Sequence, residues 1–444
     1  MERNMTVGRE WRVILAFALP IMGTNLLQTM YTLADSLIVG NFIGPTALGA
    51  VGLTAPPTWL LLAFCLGIGT GASIVIAQYY GAGRETDIHA TIGGAYALSL
   101  IVSLVLTLCC FLVAKPLIWV FLGAPTEMRD MSVTYFRIYA SGIVVQMLYN
   151  VTYGILRAYG NSRGGLYFLL VAAIMNVALD LLFIVHFGWG VAGAAIATVL
   201  SQLCAALASM LYLVRSFPHL RPRFGFGGRE RGKMRTISII SAPIIVQQGI
   251  FAVGFTIMQR LVNSFGPHSI EGYAAMMRIE NLAHIPSNSF NTAISAFTGQ
   301  NIGSGKHDRA QMGYRASLRM GAIVTVLIAA AVLFFARDLL ALFNISGESM
   351  RRGLEHLVLL MFFIILSMTT NITSGFLQGA GDVQVPTIAG FANLAVRLCG
   401  AYLMAGTFIS FRCLYVSMPP AWAVGCLIVV LRYRSGKWRQ KALV

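Results

Sequence analysis

Apolar runs of twenty or more residues recur along this chain, and no other feature restricts its fold so tightly. A helix needs about 20 apolar residues to cross the roughly 30 Å hydrocarbon core of a bilayer. Twelve such spans are read at 13–39, 47–77, 91–121, 133–157, 164–187, 190–214, 237–264, 270–299, 314–342, 354–378, 386–408 and 412–431. The chain is 57% hydrophobic and 11% charged, whereas soluble domains average about 45–50% and about 25%. The expected class is an all-α polytopic membrane protein. The first span is too long, and too bare of a cleavage site, to read as a removable signal peptide.

A net charge of +16 raises the question of nucleic acid, and the placement of the charge answers it. Of 32 Lys and Arg, 22 fall on one side of the twelve-span arrangement, seven on the other and three inside spans. This is the positive-inside pattern, so both termini are expected in the cytoplasm and no nucleic-acid partner is expected. The densest cluster, Arg215 to Arg235, reads as a cytoplasmic linker between spans 6 and 7. The expected organisation is an N-terminal lobe 1–214, a basic linker 215–236 and a C-terminal lobe 237–444. The seven cysteines lack CxxC spacing and the seven histidines lack ligand spacing, so neither set points to a metal centre or a disulfide framework.

The two halves repeat each other. Ala18-Leu19-Pro20-Ile21 returns as Ser241-Ala242-Pro243-Ile244, and Gly44-Pro45 as Gly266-Pro267. QYYGAGR from Gln78 returns as QNIGSGK from Gln300, and GILRAYGN from Gly154 as GFLQGAGD from Gly375. The separations are 223, 222, 222 and 221 residues, so register holds over most of each half. Six spans per repeat is an even number, so both halves insert in one orientation, as two pseudo-symmetric six-helix lobes. Parallel repeats of this kind are a transporter architecture. The glycine-rich turns lack the GxxxxGK[ST] pattern of a phosphate loop, and small residues there serve tight turns.

Charge inside the spans is rare and expensive, at roughly 2.5–3.5 kcal/mol for a carboxylate at membrane depth. Of 16 acidic residues, only Asp35, Asp180 and Glu280 fall well inside apolar runs. Asp35 lies five residues before Gly40 and Asp180 eight before Gly188, depths of about 8 and 12 Å along a helix. Asn176 is one turn deeper than Asp180, and Thr198 lies about 15 Å past the intervening turn. Asp35, Asn176, Asp180 and Thr198 therefore share a band in the first lobe. Two carboxylates in a low-dielectric enclosure cannot both carry charge cheaply, so one holds a proton, or the oxygen-rich set coordinates a hard monovalent cation. Either is a coupling-ion site; the structural alternative is a hydrogen-bond cluster that only joins helices.

Glu280 is the acid of the second lobe, with Arg260 and Arg397 as available ion-pair partners or a cationic substrate as its ligand. Tyr31, Met258 and Arg278 are the other candidates to line a substrate cavity, although methionines at such positions also serve as packing. Pro20, inside span 1, removes a backbone hydrogen bond and marks either a hinge or a static kink.

ALPIMGTNLLQTMYTLADSLIVG, the paired turn motifs and the NVALD segment together resemble the multidrug and toxic compound extrusion (MATE) transporters, over about residues 13 to 432. The resemblance implies a twelve-helix, two-lobe exporter of organic cations or amphiphilic compounds, driven by antiport with H⁺ or Na⁺ in the plasma (inner) membrane. It implies a first-lobe ion site at Asp35, Asn176 and Asp180, accompanied by Thr198, with Na⁺ as one possible occupant. It further implies that Pro20 bends its helix on protonation. The chain departs from branches with an acidic pair on spans 7 and 10, because span 7 has no acid and span 10 none past Glu355. No cofactor beyond the coupling ion is expected, and a monomer suffices. A lipid-linked precursor flippase of related fold is the alternative, disfavoured by twelve spans and only three intramembrane arginines. A membrane enzyme is the other, and the sequence offers no catalytic cluster for it.

Overall fold

The computed structural model describes residues 4–220, 227–343, 345–407 and 410–443. The middle of the expected linker, 221–226, lies outside them. No strand occurs among the described residues. The first half contains α1 (Glu10–Phe42), α2 (Pro45–Leu53), α3 (Ala55–Gly81), α4 (Glu85–Pro116), α5 (Thr126–Ser141), α6 (Ile143–Ala158), α7 (Arg163–Asp180) and α8 (Gly190–Ser216). The second contains α9 (Gly228–Ser264), α10 (Pro267–Gly303), α11 (His307–Phe334), α12 (Ala336–Ala341), α13 (Gly347–Gly379), α14 (Gln384–Ala405), α15 (Cys413–Val416) and α16 (Met418–Arg434). Twelve transmembrane helices in two lobes result.

Among the described residues, ten helical stretches are apolar and long enough to span by themselves. Two further spans escape that criterion for identifiable reasons. Span 4 is broken at Gly142 into α5 and α6, each of 16 residues. Span 8 is α10, 37 residues long, whose hydropathy is lowered by Asn281, His284, Ser287, Asn288 and Asn291 as well as by Glu271, Arg278 and Glu280.

Two compact units emerge, one built from Gly23–Ile245 with Asn4 and the other from Met5–Met22 with Val246–Val444. The chain changes unit inside α1, just after Pro20, and inside α9, just after Pro243. α9 starts at Gly228, so the residues expected to end the linker are already helical.

Within each unit the repeated motifs do matching work. In the first, α3 packs against α6, and a side chain on Gly154 would overlap the carbonyl oxygen of Gly69. In the second, α10 packs against α13, and one on Gly375 would overlap the carbonyl oxygen of Asn291. Glycine is required at both because the backbones touch. The QYYGAGR and QNIGSGK turns pass through Gly83 at φ 68° and Gly305 at φ 73°, the left-handed region that a side chain resists.

Candidate functional site

In the first unit, polar side chains from four helices converge. On α7, Asn176 and Asp180 stand one turn apart and both are 0% exposed. The oxygens of Asp180 have no hydrogen-bond partner apart from the facing carboxyl of Asp35, and neither amide atom of Asn176 has one. From α1, Asp35 brings its carboxyl to that of Asp180, and its Oδ1 is likewise enclosed and unpartnered. Tyr31, one turn earlier on α1, places its hydroxyl among Asp35, Asp180 and the hydroxyls of Thr198 and Ser201 on α8. Tyr135 of α5 closes the group, facing both carboxyls and Tyr31.

Local backbone contributes to this placement. α7 ends at Asp180, and residues Leu181–His186 continue as a wider π-helical turn. Such turns are frequent at functional sites because they redirect a side chain without ending the helix. Thr198 donates back to the Ala194 carbonyl at 3.0 Å, leaving its lone pairs toward the cluster. Around these groups the packing is apolar, with Val39, Ile184, Val191, Ala194 and Ala195 buried. An unpartnered buried polar atom costs about 1–3 kcal/mol, so several together mark a place where a proton, an ion or water is stabilised.

The sequence-predicted residues are thus partly brought together. Asp35, Asn176, Asp180 and Thr198 gather at one place. Tyr31, expected among the cavity-lining residues, sits with them. Tyr135 and Ser201 were missed, because an aromatic or a serine inside an apolar run is no signal by itself.

In the second unit, Glu280 on α10 is 7% exposed and one of its oxygens, Oε2, has no partner. The expected pairing with Arg260 or Arg397 is corrected: the titratable side chain beside Glu280 is His284, with Nε2 at 3.9 Å. That same nitrogen lies 3.2 Å from the Ser367 hydroxyl of α13. Arg397 instead donates to the Tyr273 hydroxyl at 3.2 Å, and Arg260 is exposed. His284 was legible one turn after Glu280 but was not singled out. Arg278 is exposed and lies over the Phe343 ring at 5.4 Å, so it is not brought to Glu280. Met258, 1% exposed, packs in an apolar core with Met276 and Met361. Among the described residues no cluster of His, Cys, Asp and Glu has metal-site geometry.

Residues 20–182 and 243–403 match the sequence profile of the MatE family, one segment in each half of the repeat. The chain is similar to the probable multidrug resistance protein YoeA of Bacillus subtilis (strain 168), 26% identical over 444 residues, covering 98% of this chain and 95% of the relative. It is also similar to the probable multidrug resistance protein NorM of Thermotoga maritima, 23% identical over 440 residues, with 97% and 94% covered. Its fold matches the crystal structure of MATE in complex with MaD3S, with a TM-score of 0.91, 23% identity and 98% of each chain covered. These findings give the flippase alternative no support. A repeat of two six-helix lobes, matched across nearly its whole length, places the chain in the MatE family of multidrug efflux transporters.

Proposed function

We propose that the chain is a secondary active exporter that expels organic cations or amphiphilic compounds in exchange for H⁺ or Na⁺ across the plasma (inner) membrane. The observation that carries this reading is the set of enclosed, unpartnered polar atoms on Asp35, Asn176 and Asp180. Two carboxyls facing each other in an apolar enclosure repel when both are charged, and a bound proton or monovalent cation relieves that repulsion. Asn176 and Thr198 add neutral oxygens that suit either ion. Tyr31 sets its hydroxyl against those of Ser201 and Thr198, beside the two carboxyls.

Ion release restores the repulsion and favours a rearrangement of α1, for which the intrahelical hydrogen bond that Pro20 cannot donate leaves a weak point. In the second unit, Glu280 supplies a negative charge for a cationic substrate. The Lys and Arg asymmetry supports cytoplasmic N- and C-termini, and the two fused lobes act as a monomer.

The test is efflux of a fluorescent organic cation from proteoliposomes under separately imposed proton and sodium gradients. One gradient drives efflux in wild type, and Asp35→Asn uncouples it. Efflux by Asp35→Asn that still follows the gradient as wild type does would remove Asp35 from the ion site.

A further inference from the structure

The segments that lead into α1 and α9 are each held by a neighbouring turn, and the two holds are related by the internal repeat. In the second unit, Arg309 Nη1 binds Glu10 Oε1 at 2.7 Å. Its Nη2 reaches the Val7 carbonyl at 2.9 Å and the Met5 carbonyl at 3.3 Å. Lys306 Nζ donates to the Thr6 carbonyl at 3.0 Å, and Met5, 0% exposed, donates its N–H to Gln300 Oε1 at 2.8 Å. In the first unit, Lys233 Nζ binds Asp87 Oδ1 at 2.7 Å and the Tyr79 hydroxyl at 2.8 Å, 4.0 Å from the Tyr79 ring centre.

The positions correspond. Counted with the 223-residue offset of the paired prolines, Glu10 falls on Lys233; with the 222-residue offset of the glycine turns, Asp87 falls on Arg309. The same contact is therefore built twice with its charges exchanged. In one copy the residue on the helix start is acidic and its partner basic, Glu10 with Arg309; in the other the start residue is basic and its partner acidic, Lys233 with Asp87.

We infer that Glu10–Arg309 and Lys233–Asp87 are charge-exchanged latches that direct each helix-entry segment to its own turn and exclude the other. From Glu10 and from Lys233 onward both segments are helical and the two turns repeat each other, so over that stretch shape alone discriminates poorly; ahead of it they differ, because α9 is already helical from Gly228 while an irregular segment precedes Glu10. Exchanged docking would set Glu10 against Asp87 and Lys233 against Arg309, two like-charge contacts in partly buried surroundings. Side-chain exposures of 14% and 24% in one pair, and 15% and 33% in the other, keep these charges from full solvent screening. The latch matters because each helix begins in one unit and ends in the other. It fixes the leading part of α1 to the second unit and that of α9 to the first. The inference is independent of the proposed transport chemistry.

The test uses full-length protein purified in detergent, read by melting temperature and by the yield of monodisperse folded protein. Glu10→Lys with Lys233→Glu exchanges the segments alone and should give the lowest values, melting at least about 4 °C below wild type. Adding Asp87→Arg and Arg309→Asp exchanges the turns too and should restore both readouts. Glu10→Lys with Arg309→Asp rebuilds a bond in each unit but makes both latches alike. It should melt near wild type yet give severalfold less folded protein, because either segment then fits either turn. Wild-type melting of the two-segment variant would overturn the latch, and so would failure of the four-fold exchange to restore it. A wild-type yield from the Glu10→Lys, Arg309→Asp variant would overturn the directing role.

Discussion

The two halves of this repeat share a scaffold and place their charges at different points on it. Counted from the paired prolines, Asp35 falls on Met258; counted from the starts of α7 and α14, Asn176 and Asp180 fall on Arg397 and Ala401. Where the first unit gathers unpartnered oxygens, the second has Met258 and Ala401 inside an apolar core. Conversely, Glu280 and His284 correspond to Thr58 and Leu62, which carry no charge. The backbone contacts that define the fold are kept, through Gly154 and Gly375, while the polar groups have diverged. Architecture in this protein depends on close approach between helices, and chemistry on a few side chains that the approach leaves free to vary.

The carboxyls of the first unit are the most sensitive point of the molecule. Asp180→Asn or Asp35→Asn should reduce gradient-driven efflux to background in proteoliposomes. Neither should destabilise the fold: removing one of two facing buried charges should hold the melting temperature or raise it by about 2–4 °C.

The reverse substitution tests the apolar side. Met258→Asp buries an unpaired carboxyl in the second-unit core and should cost about 3–5 kcal/mol, seen as a large drop in melting temperature and folded yield. A well-folded Met258→Asp protein would mean that the second unit retains room for an ion at the equivalent place.

The shared scaffold is tested by Gly154→Ala and Gly375→Ala, each forcing a methyl against a neighbouring backbone. Each should cost about 1–3 kcal/mol, and by nearly equal amounts, measured by thermal unfolding of the two variants side by side. Unequal costs would show that the repeat is packed less symmetrically than its glycines indicate.

The smallest effect belongs to Glu280→Gln. It should weaken binding of a cationic substrate about tenfold, or ~1.4 kcal/mol, while leaving ion coupling intact. An unchanged affinity, with altered stability alone, would make Glu280 a structural partner of His284.

Much of this protein is legible from the sequence because a bilayer imposes a simple grammar. Apolar runs give the spans, and Lys and Arg placement gives the expected orientation. Four motif pairs give the repeat. Asp35, Asp180 and Glu280 stand out because a carboxyl in an apolar run is costly. The same logic is silent about Tyr31, Tyr135 and Ser201, whose roles depend on which way each helix is turned. It is silent, too, about the π-helical turn after Asp180, where the hydrogen-bond pattern shifts without a proline or glycine to announce it. Arg278 and Glu280 look alike along the chain, yet one is exposed and the other buried.

The class, the repeat and the short list of costly charges are all readable along the chain, since each follows from local composition or from matching one half of the chain to the other. Which of those charges meet depends on how the helices pack. That packing set Asp35 against Asp180, gave Glu280 to His284 in place of an arginine, and joined Glu10 to Arg309 across 299 residues of chain. Helix rotation and long-range packing fix those encounters, and neither leaves a periodic mark on the sequence.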